Sequence, residues 1–415
     1  MENKKIAIIG SGIAGLSVAK MLQNKGHEVT VFEKNSFHGG LVHCTVEDGV
    51  LFHRVGGHVF NTKIKEVAEW FWSFYKEDEF VKAKRNAKIW IDNKLVGYPI
   101  ENYIFQLQKE KANEIVTDLL LSNKLDVVAD NFADFLYSKF GKTLCDYYFK
   151  PYNYKIWKTD LSKIPLPWLD GKLPMPDVHS IIMNNIFKKE DDSMVHSYFF
   201  YPASGGSSFI ADRIAEGLDI RYNSEILNIA KSDDKWIVLN QLFDDVIYTG
   251  DVRKIQDIIH IDDERYLNYT LKTKQLLSNG TSNALCYIDA SDLSWLYLPE
   301  ANTESHRIIY TGNFSSNNNL KNNKTTCTVE FSGIVSIEQM KAELSKLPFN
   351  IEPIAFNQEP NSYVIQGNET RNEIAQLKEF LSINNVYLLG RFAEWEYYNM
   401  DKAIEAAMNL VKYNF

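Results

Sequence analysis

Three features of the first 40 residues predict an α/β fold organised on a buried parallel sheet. The apolar run Lys5–Gly10 (KIAIIG) has the composition of a strand covered on both faces. The loop Gly10-Ser11-Gly12-Ile13-Ala14-Gly15 follows at once and leads into a helix-like stretch, Leu16–Lys25. A second apolar run, His27–Phe32, ends on an acid, Glu33, 18 residues past Gly15.

Each part has a physical task. Gly10 permits the tight turn, Gly12 lets a pyrophosphate approach the backbone, and Gly15 lets the helix pack on the strand. Ile13 and Ala14 complete the GxGxxG loop, and the helix N-terminus offers unpaired N–H groups to the anion. Glu33 can accept from a ribose hydroxyl. The order strand, GxGxxG, helix, strand, acid predicts a Rossmann-like dinucleotide cradle without choosing between FAD and NAD. The next residues lean to FAD. Glu33-Lys34 is followed by Gly39-Gly40, and a glycine pair there lets a second loop come close to the dinucleotide. This E-K-x(4)-G-G pattern resembles FAD-containing amine-oxidase-like flavoproteins, in which the loop lies along the pyrophosphate and ribityl chain.

The chain has 415 residues, 45% apolar and 24% charged, which suits a globular protein of about two or three domains. A net charge of −9 argues against a nucleic-acid partner. No apolar stretch is long enough to span a membrane, and no signal peptide is evident, so a cytoplasmic location is expected. Cys44, Cys145, Cys286 and Cys327 are far apart without CxxC spacing, so neither a metal site nor a redox motif is expected.

Further along, Glu66–Phe74 has helical spacing, and Lys88–Val96 reads as two strands about a turn at Asp92-Asn93-Lys94. Ile104–Tyr148 is mostly helical in pattern. The proline-rich Lys163–Pro176 must be loop or extended. Strands are expected at 219–226, 236–239 and 246–249, and they dominate 284–331. The Asn-rich 315–324 stretch is expected to be a surface loop. Ser336 is a plausible N-cap for a helix over 337–347. Val386–Gly390 is a buried strand, followed by a closing helix over 401–411. Both ends of the chain read as strand, glycine, helix, which predicts one sheet around one cofactor.

Taken in order, the motifs resemble the UDP-galactopyranose mutase family. They are GSGIAG, EKNSFHGG, HRVGGHVFNT (53–62), GYPIEN (97–102), PYNYKIW (151–157), YPASGG (201–206), HRIIYTGNF (306–314) and GRFAEWEYYNMD (390–401). That resemblance implies FAD, needed in its reduced form, and a nucleotide-sugar substrate whose ring contracts with no net redox change. In the family, flavin N5 attacks the anomeric carbon and displaces the nucleoside diphosphate, which later returns. It further implies Arg307 on the phosphates, as a planar fork suits them. Arg391, Gly390, Asn399 and Met400 fall at the flavin, with Gly57 and His58 in a loop against it. Tyr363 and Tyr397 fall near the phosphates, and Tyr152 and Trp157 around the uracil. Arg307, Arg391, His58 and Tyr397 are the expected catalytic set. An electron donor is implied as partner, and a homodimer is compatible with it.

The pattern departs from the family around the substrate. In the segment 168–176 (WLDGKLPMP), Lys172 stands at one arginine position, and Pro176 replaces the arginine that closes over the diphosphate. Asn399 replaces an aspartate, and Trp395 a tyrosine. The expected organisation is an FAD-binding domain from 1–80, 197–255 and 380–415, a helical subdomain over 101–196, and a mixed or antiparallel β-sheet substrate domain from 81–100 and 256–379. Two other functions remain open: an amine-oxidase-like FAD oxidoreductase acting on an amine or sugar, and a binding protein without turnover.

Overall fold

A computed structural model describes residues 3–122, 129–166, 177–188, 198–319 and 324–415. The glycine-loop unit forms as its pattern predicts: β1 (Lys5–Ile9), α1 (Ile13–Asn24) and β2 (Glu28–Phe32). β1 and β2 sit near the middle of a five-stranded parallel sheet. Its order is Val386–Leu388, Asp245–Tyr248, β1, β2, Asp219–Arg221. The two ends of the chain therefore share one sheet, and the C-terminal helix Met400–Asn414 packs beside α1. Leu16, Val18, Ala19 and Leu22 of α1 are fully buried against this layer with Ile404 and Ala407.

The other face of the sheet carries a second core. Ala7, Val246 and Val386 pack there with Trp236, Ile255, Ile259, Tyr266 and Leu377. This core draws in residues from both sides of the expected boundaries at 255 and 380. Two of its helices, Glu264–Thr273 and Thr370–Ile383, have no counterpart among the expected elements.

The second large layer is a mixed seven-stranded sheet. Its order is Glu352–Ile365, Leu277–Ile288, Thr325–Ser332, Ser305–Ile309, Trp295–Tyr297, Ala87–Ile91, Lys94–Gly97. All pairs are antiparallel except Trp295–Tyr297 with Ala87–Ile91. Helices Lys109–Ser122, Phe132–Leu144 and Lys150–Trp157 cover one end of it, and a π-helical turn, Cys145–Phe149, joins the last two. The helical pattern thus runs on through the aromatic segment to Trp157.

Two local expectations are corrected. The strand expected at 219–226 stops at Arg221. The described part of the Asn-rich stretch, 315–319, is no simple surface loop: Asn318 is buried, and its amide donates to Tyr201 Oη at 3.0 Å and Thr311 O at 2.8 Å. All four cysteines are buried, reduced thiols, with Cys286 directly opposite Cys327 in the strand register. Among the described residues no helix is long and apolar enough to cross a membrane.

Candidate active site

A cavity of about 660 Å³ opens at the carboxyl ends of the parallel strands and extends to the seven-stranded sheet. Ligands of open parallel sheets bind at this edge. The glycine loop forms its floor. Gly10 has φ +105°, and a Cβ on Gly15 would lie 2.1 Å from Gly10 O, so only glycine lets α1 approach β1 so closely. Gly12 differs: a Cβ there would meet nothing within 4 Å, because the space beside it belongs to the cavity. Two helices, α1 and Met400–Asn414, begin at this cavity with no side-chain cap, at Gly12 and Asn399. Their first N–H groups are available to an anion.

The second loop packs directly on the first. Gly39 N donates to Ser11 O at 2.9 Å, and a Cβ on Gly40 would lie 3.2 Å from Gly12 Cα. Glu33 holds the corner. Its Oε2 accepts from Ser11 N at 3.0 Å and Ser11 Oγ at 2.6 Å, and its Oε1 from Asn35 N and Nδ2, both at 2.9 Å. A carboxylate has about four acceptor positions, so a ribose hydroxyl bonds Glu33 only by displacing one of these donors. Gly390, at φ +93°, brings the C-terminal strand against Ala14.

The opposite wall is polar and charged. Arg307 Nη2 donates to Glu330 Oε1 and Oε2 at 2.8 and 2.9 Å and to Tyr363 Oη at 3.0 Å. Tyr363 Oη in turn donates to Glu330 Oε1 at 2.8 Å, and His306 Nε2 lies 3.0 Å from the same oxygen. Burial opposes ionisation of Glu330, but Arg307 and His306 override it and hold the carboxyl well below the usual range. Arg307 Nε is buried without a partner. The Tyr363 and Tyr397 rings are parallel, with centroids 5.6 Å apart. The Arg391 guanidinium lies 4.7 Å from the Tyr397 ring centre, and its Nε and Nη1 donate at 3.0 Å to the carbonyls of Tyr398 and Ser362.

His58 hangs between the two walls on the Gly56-Gly57 turn. A Cβ on Gly56 would come 2.7 Å from Glu330 Oε2, and one on Gly57 would come 2.8 Å from Ile309 Cγ2. The glycines therefore let this loop press against the Arg307–Glu330 pair. Burial, and then the charge of Arg391, push the His58 pKa down to about 4, so the ring is neutral at pH 7. Its Nε2 is buried with no partner.

Every residue expected to hold a cofactor lines this one cavity, from Gly10 to Met400 and including Lys34, Gly57 and Asn399. So do Arg307, Tyr363 and Tyr397. Tyr152 and Trp157 do not. Tyr152 packs between Tyr148 and Tyr297, and Trp157 stands edge-on behind Tyr363 and Tyr397, 5.5 and 6.1 Å away. Trp395 also faces away: it is fully buried, and its indole donates to Ile365 O at 3.0 Å. Lys172 and the whole 168–176 segment lie outside the described residues.

Sequence reasoning missed several charged residues of the cavity, among them Arg54, Glu330 and Arg85. Arg54 donates to Asn357 Oδ1 at 3.0 and 2.7 Å. Glu330 carried a signal that could have been used: it is the single acid in an otherwise uncharged strand, TTCTVEFS. Arg85 follows the strand Phe80–Lys84 and belongs to no motif. It lies 4.8 Å from the Trp295 ring centre and 5.5 Å from that of Tyr98, and Nη2 donates to Tyr297 Oη.

Comparisons with known proteins bear on this geometry. Residues 8–77 match the model of an NAD(P)-binding Rossmann-like domain. A UDP-galactopyranose mutase of Mycoplasma genitalium is 23% identical over 96% of this chain and 92% of its own. The chain is a relative of the UDP-galactopyranose mutases. One from Klebsiella pneumoniae, described as probable, is 25% identical over 242 residues, 56% of this chain and 59% of that protein, so the match spans less than two thirds of its length. The crystal structure of a reduced UDP-galactopyranose mutase superimposes with a TM-score of 0.89 at 20% identity, covering 99% of this chain and 96% of that one. At this identity the mutase structure establishes the fold alone. The fold is not confined to mutases: a structure described as a putative protoporphyrinogen oxidase from Exiguobacterium gives 0.75 at 14% identity, covering 99% and 98%.

Proposed function

We propose that this protein is a flavin-dependent mutase that interconverts the pyranose and furanose forms of a nucleotide diphosphate sugar, UDP-galactose or a related one. The observation that carries the proposal is the pairing, across one cavity, of a dinucleotide cradle with the Arg307–Glu330–Tyr363 cluster. The open space at Gly12 and the two uncapped helix N-termini fit the pyrophosphate of FAD. Gly57, His58, Gly390, Arg391 and Met400 would surround its ring. When reduced and bound, the flavin supplies a nucleophilic nitrogen for the anomeric carbon.

The residues of the chain have complementary tasks. Arg307 offers a permanent charge to the departing diphosphate, and Glu330 fixes the plane of that guanidinium. Holding the leaving group beside the sugar favours its return, because recombination is then intramolecular. Tyr397 and Tyr363 give the sugar diphosphate a flat, hydroxyl-bearing wall. His58, kept neutral, can hydrogen-bond without placing a second positive charge beside Arg391.

The test is a titration of the FAD-loaded protein with UDP-galactose, first oxidised and then reduced with dithionite, following flavin spectrum and sugar product. Furanose formed only in the reduced state supports the mutase. Bleaching of the oxidised flavin by substrate would replace it with an oxidoreductase.

A further inference from the structure

Arg85 poses an electrostatic problem that no described residue solves. It lines the same cavity as Arg307 and His58. Its side chain is half-buried, and its Nε is fully buried without a hydrogen-bond partner. Among the described residues no carboxylate pairs with it, whereas Arg307 has Glu330. The Trp295 and Tyr98 rings flank the guanidinium, and the Tyr297 hydroxyl accepts one bond from it. Aromatic faces stabilise a cation, but they leave its N–H donors unsatisfied. A guanidinium withdrawn from water with neither counterion nor full hydrogen bonding is costly. Such a cost is offset when an anion arrives from outside the chain.

The backbone around Arg85 is fixed. The residue ends the ribbon formed by Phe80–Lys84 and Tyr198–Pro202. Its neighbour Asn86 is pinned to the seven-stranded sheet by bonds from Asn86 N to Ser294 Oγ and from Ser294 N to Asn86 O, at 2.8 and 2.7 Å. A donor on such a support is positioned before any ligand enters. Arg85 bonds Tyr297, the strand-register partner of Arg307, so the two positive charges stand on one wall and repel one another. Two guanidiniums that face one space without a shared carboxylate between them suit a ligand with two adjacent anionic groups.

We propose that Arg85 is the second cationic clamp on the substrate diphosphate, acting from a rigid strand end on the same wall as Arg307. The assignment rests on the nucleotide-sugar reading above. It places both phosphate ligands on the body of the protein and requires none from the 168–176 segment, where Pro176 stands in place of an arginine.

The experiment measures binding of UDP, uridine and inorganic pyrophosphate to FAD-loaded wild type, Arg85→Gln and Arg85→Lys. The expected result is roughly ten- to hundredfold weaker UDP binding in Arg85→Gln with uridine affinity unchanged. Arg85→Lys should fall between, since it keeps the charge but loses the fork. Unchanged UDP binding in a folded, FAD-loaded Arg85→Gln overturns the assignment and leaves the mutase proposal standing. If wild type binds pyrophosphate but not UDP, and Arg85→Gln loses it, the anion site stands and the nucleotide-sugar reading falls. If wild type binds neither, both fall. Should Arg85→Gln not fold, the lysine variant decides: wild-type affinity for UDP would exclude a fork-specific contact.

Discussion

Arg307 turns a single nitrogen, Nη2, toward both oxygens of Glu330, 2.8 and 2.9 Å away, and toward the Tyr363 hydroxyl at 3.0 Å. That leaves the buried Nε unmatched on the same side chain. Arg307→Ala should abolish turnover while FAD stays bound, as read by product formation beside flavin absorbance. Normal turnover would remove Arg307 from the phosphates. Glu330→Ala should cost stability as well, about 3 kcal/mol, because it strands the Arg307 charge. Denaturant unfolding at fixed FAD loading measures this, and a loss within experimental error would mean the pair is not structural.

The two inner glycines should separate in their effects. Gly15→Ala places a methyl 2.1 Å from Gly10 O and should lower the unfolding midpoint. Gly12→Val should leave the fold intact, since its Cβ meets nothing within 4 Å, yet prevent FAD retention by filling the pyrophosphate path. A folded, fully yellow Gly12→Val protein would contradict the cradle.

Stability should fall on acidification in two windows. Burial, followed by the neighbouring His58, lowers the His53 pKa to about 3, and burial followed by Arg391 lowers that of His58 to about 4, against 6.5 for a free histidine. Below pH 6.5 the unfolded chain takes up protons that the folded chain refuses, so stability drops as pH falls from 6.5 toward 4. Glu330 adds a lower window: its depressed pKa gives stability that is present above the unfolded value of 4.5 and lost as pH falls further. Unfolding midpoints between pH 7 and 4.5 should be flatter for His53→Gln with His58→Gln than for wild type. Equal slopes would show that these histidines charge in the folded state.

The cradle was legible because it is local: one strand, one loop and one helix carry all its information in 30 adjacent residues. The C-terminal strand, glycine and helix were legible by pattern, but the places of Arg307, Tyr363 and Tyr397 were legible only through resemblance to a family. The seven-stranded sheet was less so. Its edge strand Glu352–Ile365 contains Pro353 and Pro360, does not alternate, and pairs with Leu277–Ile288 through register shifts. Its pairing is set by long-range contacts that a single sequence does not display. Arg85 was invisible for a related reason. Its meaning depends on which rings and charges lie nearby, and apart from Tyr98 these come from segments more than 200 residues away.

The parallel sheet has a consequence for biosynthesis. Its strand Val386–Leu388 pairs with Asp245–Tyr248, and the final helix supports α1. On the ribosome the glycine loop is made well before the strand Val386–Leu388 and the Gly390–Met400 wall, so one flank of the sheet is missing until those residues have been added. A dinucleotide therefore meets a complete cradle only once that segment has been made, and Ala14 and Leu16 depend on it for their burial.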